Sequence, residues 1–200
     1  MDGVAWQEMA VCGDLGLGNV LDFAFAPNGD VWVATGMSLA RFDGRVWQDM
    51  GRMVHSIAVA PDGALWATGW EGTQDSYYVA RFDGVEWTNV LSSSLGSLQV
   101  TPDGVVWGAA GERGLARFDG QSWTFYDTAE SLPLSSIGVL ALAPDGALWA
   151  SGQGGLAHFD GQDWTVYPAG EGVQALAFAP DGTAWLGTSN GAVHFQPTDE

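Results

Sequence analysis

"APDGALWASGQGGLAHFDGQDWTVY" (143–167) decides the fold, because its parts recur along the whole chain. A Pro–Asp/Asn–Gly turn followed by Trp occurs five times: "APNGDVW" (26–32), "APDGALW" (60–66), "TPDGVVW" (101–107), "APDGALW" (143–149) and "APDGTAW" (179–185). Its prolines fall 34, 41, 42 and 36 residues apart. A second motif follows each, "ARFDG" at 40–44, 80–84 and 116–120 and "AHFDG" at 157–161, until "VHFQP" (193–197) breaks the pattern. Pro presets φ and Gly tolerates positive φ, so each Pro–Asp–Gly is a turn between strands. Asp–Gly between alternating apolar residues is a tight hairpin.

Each unit therefore reads as four short antiparallel strands, and a period near 40 with four strands per unit predicts propeller blades. The expected fold is all-β, a closed five-bladed β-propeller in a single domain spanning 1–200. Its blades run at about 19–50, 54–90, 96–127, 137–167 and 173–195. The fifth unit lacks a fourth strand, and "DGVAWQEM" (2–9) has the sequence of one. The N-terminal strand is thus expected to complete the last blade and remove the open edge. Three residues before each Pro stand Ala24, Ala58, Gln99, Ala141 and Ala177, with bulky neighbours such as Phe23/Phe25 and Ile57/Val59. These bulky positions are expected to pack between blades.

The stretch "LPLSSIGVLALAPDGALWASGQGGLAHFDGQDWTVY" (132–167) resembles the two-component regulator propeller repeat. All five units fit, the first two most loosely. Related units occur in the wider group of Asp–Gly–Trp propellers, virginiamycin B lyase among them. The resemblance implies blade structure and a sensor-type role, since members of the family usually form extracytoplasmic sensing regions of hybrid histidine kinases. It implies no ligand, because its Pro, Asp, Gly and Trp serve turns and packing.

Composition limits the function classes. The net charge is −18 and all six basic residues are Arg, so nucleic acids and anionic membranes are not expected partners. The single cysteine, Cys12, allows neither an intrachain disulfide nor a Cys-based zinc site. The sequence shows no signal peptide and no apolar run of about eighteen residues. It leaves the compartment open between the cytoplasm and an excised extracytoplasmic domain. A monomer is expected.

Each chemically suggestive group has a structural reading beside a functional one. The turn aspartates stand one per turn, whereas calcium needs six to eight converging oxygens, so they read as turn chemistry and no metal or cofactor is expected. Arg41, Arg81, Arg117, His158 and His194 occupy one equivalent position of the third strand. Each is expected to bond a carboxylate or carbonyl of a neighbouring strand. Ten of the eleven Trp belong to the repeat; Trp70 does not. It opens an expanded connection, "GWEGTQDSYY" (69–78), where Trp70, Glu71, Gln74, Asp75, Tyr77 and Tyr78 mix aromatic faces with polar groups as sugar or peptide sites do. In a propeller this loop lies on the face opposite the uniform turns, together with the other variable loops (10–19, 91–97, 127–136 and 168–172).

The expected function is a non-enzymatic scaffold or sensor-type binding module that uses this face for a small molecule, sugar or peptide. One alternative is a carbohydrate-active or lyase-like enzyme with carboxylates at the axial mouth, where Asp14, Asp22, His55 and Glu171 are the candidates. Another is an engineered or excised ring without a ligand.

Overall fold

The computed structural model describes residues 18–72, 76–126, 132, 134–168 and 172–195, and all its regular elements are strands. Blade 1 is β1 (Asp22–Phe25), β2 (Val31–Ala34), β3 (Leu39–Phe42) and β4 (Trp47–Asp49). Blade 2 is β5 (Val54–Val59), β6 (Leu65–Trp70), β7 (Tyr77–Phe82) and β8 (Trp87–Leu91). Blade 3 is β9 (Leu98–Val100), β10 (Val106–Ala109), β11 (Leu115–Phe118) and β12 (Trp123–Tyr126). Blade 4 is β13 (Ser135–Leu142), β14 (Leu148–Gln153), β15 (Gly155–Phe159) and β16 (Trp164–Tyr167). Blade 5 contributes β17 (Val173–Phe178), β18 (Ala184–Thr188) and β19 (Gly191–Phe195). Each blade is an antiparallel meander in sequence order, and together they form a five-bladed β-propeller. The strand expected at 2–9 lies outside the described residues.

The turns form as their chemistry requires. The Asp62 side chain accepts the Ala64 N–H at 3.0 Å, and Gly63 takes φ +85° to close the turn. In the second hairpin, Asp83 accepts the N–H groups of Val85 and Glu86 at 2.8 and 2.9 Å. Asp43, Asp119 and Asp160 repeat that arrangement. These backbone donors hold the Asp43, Asp83, Asp119 and Asp160 carboxyls below the ordinary aspartate range, since each favours the ionised form.

The register confirms the repeat residue by residue. Each second-strand Trp lies opposite the small inner-strand position on one side, as Ala58↔Trp66, and opposite the third-strand cation on the other, as Trp66↔Arg81. At Gln99↔Trp107↔Arg117 and Ala141↔Trp149↔His158 the same ladder recurs. In each case the Trp ring lies toward the next blade, where it meets the third-strand Phe, whether its inner-strand neighbour is Ala or, in blade 3, Gln99. The pairs are Trp32–Phe82, Trp66–Phe118, Trp107–Phe159 and Trp149–Phe195, with ring centroids 5.9, 5.5, 5.4 and 6.2 Å apart. The strand-ladder hydrogen bonds are thus made within blades, whereas the apolar core lies between them.

One seam differs. Trp32, Trp66, Trp107 and Trp149 are buried, but Trp185 is 48% exposed and its aromatic contact among the described residues is His194 of its own blade. Across the same seam Phe23 and Phe25 are 60% and 68% exposed, while the equivalent Ile57 and Leu98 are buried. The expectation that the bulky inner positions pack between blades therefore holds at four seams and not between blades 5 and 1.

Candidate functional site

Three regions carry the polar and aromatic groups that the sequence singled out. The first is the axis. A cavity of about 800 Å³ is lined by the first strands of all five blades, Asp22 and His55 among its walls. Both are engaged in joining blades. Asp22 accepts the Ser56 hydroxyl and the Ile57 N–H, each at 2.9 Å, tying blade 1 to blade 2. His55 Nε2 lies 3.0 Å from the Leu95 carbonyl, so this nitrogen carries a proton and donates it. The Ser56 oxygen accepts the Leu98 N–H at 3.1 Å, and Ser97 accepts the Leu140 N–H at 3.2 Å. The belt continues from blade 1 to blade 4. Asp14 and Glu171 lie outside the described residues.

The second region is the β6–β7 hairpin, longer than its counterparts, where Trp70 pairs directly with Tyr77 at the end of the ladder. Both are exposed, at 41% and 42%, on the face away from the uniform turns. Because side chains alternate along a strand, Tyr78 points the other way and is buried. Its hydroxyl donates to the Met53 carbonyl at 2.7 Å, and burial holds the phenol above its ordinary pKa although Arg52 opposes the shift. The Arg52 guanidinium stacks on Tyr78 and Trp87, 4.3 and 4.8 Å from the ring centroids. It also bonds the Asn89 side chain at 2.6 Å and approaches Glu71 to 3.7 Å. Of the six loop candidates, then, Trp70 and Tyr77 form an exposed pair, while Tyr78 and Glu71 anchor it through Arg52. Gln74 and Asp75 lie outside the described residues.

The third region lies on the uniform-turn face and was not among the sequence candidates. The third-strand cations were expected to bond neighbouring polar groups. Arg41 does so with Asp30 at 2.6 Å, and Arg81 with Asp62 at 2.7 Å. Arg117, His158 and His194 depart from this: among the described residues none has a carboxylate or carbonyl partner, and the two imidazoles lie against Trp149 and Trp185. Among the described residues Arg117 makes no ion pair and no hydrogen bond; its guanidinium lies over Trp107 at 5.8 Å. Its turn carboxylate, Asp103, instead accepts the Thr101 hydroxyl, which leads the causes lowering the Asp103 pKa. Thr101 stands where every other unit has Ala: 26, 60, 143 and 179. That substitution was the signal available in the sequence. Among the described residues, no group of three or more His, Cys, Asp or Glu could hold a metal ion. Among the described residues no helix is long and apolar enough to cross a membrane.

Neither a protein-family model nor a curated protein matches the sequence. Solved structures do match. Virginiamycin B lyase from Staphylococcus aureus aligns at 15% identity and a TM-score of 0.66, over 91% of this chain and 71% of the lyase. The extracellular domain of a protein assigned to a hybrid two-component system of B. thetaiotaomicron aligns at 20% identity and a TM-score of 0.70, over 89% of this chain and 28% of that one. A protein assigned as a gluconolactonase aligns at 16% identity and a TM-score of 0.63, over 85% of this chain and 71% of that one. At such identities the likeness shows the propeller fold alone, and a fold by itself does not fix a function.

Proposed function

We propose that the chain is a ligand-binding module of sensor type, binding a sugar or a short peptide on the variable-loop face. The observation that carries this reading is the exposed Trp70–Tyr77 pair, set on the hairpin end and anchored from beneath by Arg52 on Tyr78. Two aromatic faces held side by side offer a large apolar contact at little cost in side-chain entropy. The sensor domains among the structural neighbours agree with this use of the fold, while the lyase and the gluconolactonase keep an enzymatic reading as the alternative. In that alternative the axial carboxylates would act. Asp22, however, accepts two hydrogen bonds from blade 2, which favours a joining role for it.

The test is a thermal-shift and fluorescence panel of neutral sugars and short peptides. A ligand that binds only the native state raises the melting temperature by mass action, saturably. Trp70→Ala should abolish that shift and Asp22→Asn should leave it intact. A shift that survives Trp70→Ala would remove the loop face as the site, and turnover lost in Asp22→Asn would establish the enzymatic alternative.

A further inference from the structure

Arg117 lies between two depressions on the uniform-turn face, of about 520 and 750 Å³, which share Arg117, Phe159 and Gly161 as walls. The smaller one runs between blades 3 and 4, where the turns of the two blades touch; a Cβ on Gly146 would come within 3.1 Å of the Pro102 ring. Its floor is apolar, with Trp107 and Phe159, and its rim carries Asp103, Asp145 and Asp160. A guanidinium offers five donors in a planar fork suited to a carboxylate. In blades 1 and 2 that fork is already occupied by Asp30 and Asp62. In blade 3 the Thr101 hydroxyl shares its one proton between Asp103 Oδ1 and the Val105 carbonyl, and the Arg117 fork, though it feels the charges of Asp103 and Asp119, lines the groove with no hydrogen bond among the described residues.

We propose that this groove binds a small monocarboxylate that also carries hydrogen-bond donors: a sugar acid or an amino acid. The carboxylate meets Arg117 in a charge-assisted pair. The three rim aspartates accept hydroxyl or ammonium donors from the rest of the ligand and repel polyanions. The apolar floor takes the ligand's carbon face. The site is on the opposite face from Trp70 and independent of it.

Thr101→Ala is the deciding variant. It installs the residue found in the other four units, so the fold has accommodated it there, and it frees Asp103 to pair with Arg117 as Asp62 pairs with Arg81. Glucuronate, alanine, glucose and citrate are titrated by calorimetry and by the fluorescence of the tryptophans. Glucuronate or alanine is expected to bind saturably, and whichever binds identifies the ligand source, with glucose and citrate at least about tenfold weaker. Thr101→Ala and Arg117→Met should each weaken binding about tenfold or more, while Trp70→Ala leaves it unchanged. The proposal is overturned if neither glucuronate nor alanine binds at millimolar concentration. Glucose binding as tightly as glucuronate, or Thr101→Ala binding as tightly as the parent, would overturn it as well.

Discussion

Replacing Gly69 by Ala tests the packing beneath the candidate loop. Gly69 sits in β6 between Val54 and Tyr78, beside the irregular register at Val54/Ser56. A Cβ there would stand 1.9 Å from the Met53 carbonyl oxygen and 2.7 Å from the Tyr78 hydroxyl oxygen. A carbon and a carbonyl oxygen need roughly 3.3 Å even in close contact, so the backbone at Met53 must retreat by more than about 1 Å. Overpacking of this kind costs about 1–3 kcal/mol. The retreat also breaks the Tyr78–Met53 hydrogen bond, worth about 1 kcal/mol. Against this, the variant's unfolded chain is less free, which returns about 0.5 kcal/mol. The net loss is about 1.5–3.5 kcal/mol, or roughly 3–14 °C in melting temperature for a domain of this size. Calorimetry or thermal circular dichroism measures it. Tyr78→Phe should cost about 1 kcal/mol alone. Combined with Gly69→Ala it should be less than additive, because the hydroxyl is one of the two groups the new methyl strikes. Melting within about 1 °C of the parent would refute the reasoning, since it would mean that the β5–β6 contact yields freely.

Two further outcomes are expected. Because backbone donors depress the carboxyls of Asp43, Asp83, Asp119 and Asp160, their folded pKa values lie below the unfolded ones. Their contribution is therefore present above about pH 4 and lost as the pH falls through the folded values. Melting temperature measured against pH should drop on that limb, and replacing the four by Asn should flatten it; an unchanged acid limb would refute the assignment. Deleting residues 1–9 should lower the melting temperature or cause aggregation, read by calorimetry and light scattering, if this segment supplies the fourth strand of blade 5. The repeat register, as in Phe159↔Trp164, would place Trp6 opposite Phe195. A truncated monomer as heat-stable as the parent would refute that closure.

Turn chemistry and strand periodicity are local, and the sequence showed them directly. The fifth unit was expected at about 173–195, and its described strands stand at Val173–Phe178, Ala184–Thr188 and Gly191–Phe195. The ladder of small residue, Trp and cation followed from repeat position alone. What escaped depends on which neighbour a polar group meets across a seam. Asp22 looked like a free axial carboxylate because nothing in its own unit shows that Ser56 and Ile57 reach it. Tyr78 was grouped with Tyr77, although the two-residue period already puts them on opposite sides of the hairpin. The position of Arg117 could have been suspected from Thr101 standing among four alanines. What the sequence alone does not show is that Asp103 bonds Thr101 while Arg117 lies over Trp107 without a hydrogen bond among the described residues.

The passing of each Trp to the Phe of the following blade makes every seam head-to-tail: the surface that closes one side of a blade differs from the surface that closes the other. Such contacts add units in one direction only, and they end in a ring if the rotation closes or in an open stack of units if it does not. Trp185 is the leading end of this array, and Phe42 with Trp47 holds the corresponding trailing position. The two ends are complementary by repetition, so the same contact can join the termini of one molecule or of two. Within a molecule the two ends would meet at an effective concentration in roughly the millimolar range or above, and only a protein solution of comparable strength would compete. Were the ends to meet as the inner seams do, closure of one chain and end-to-end association of two would draw on the same contact, and dilution would favour closure.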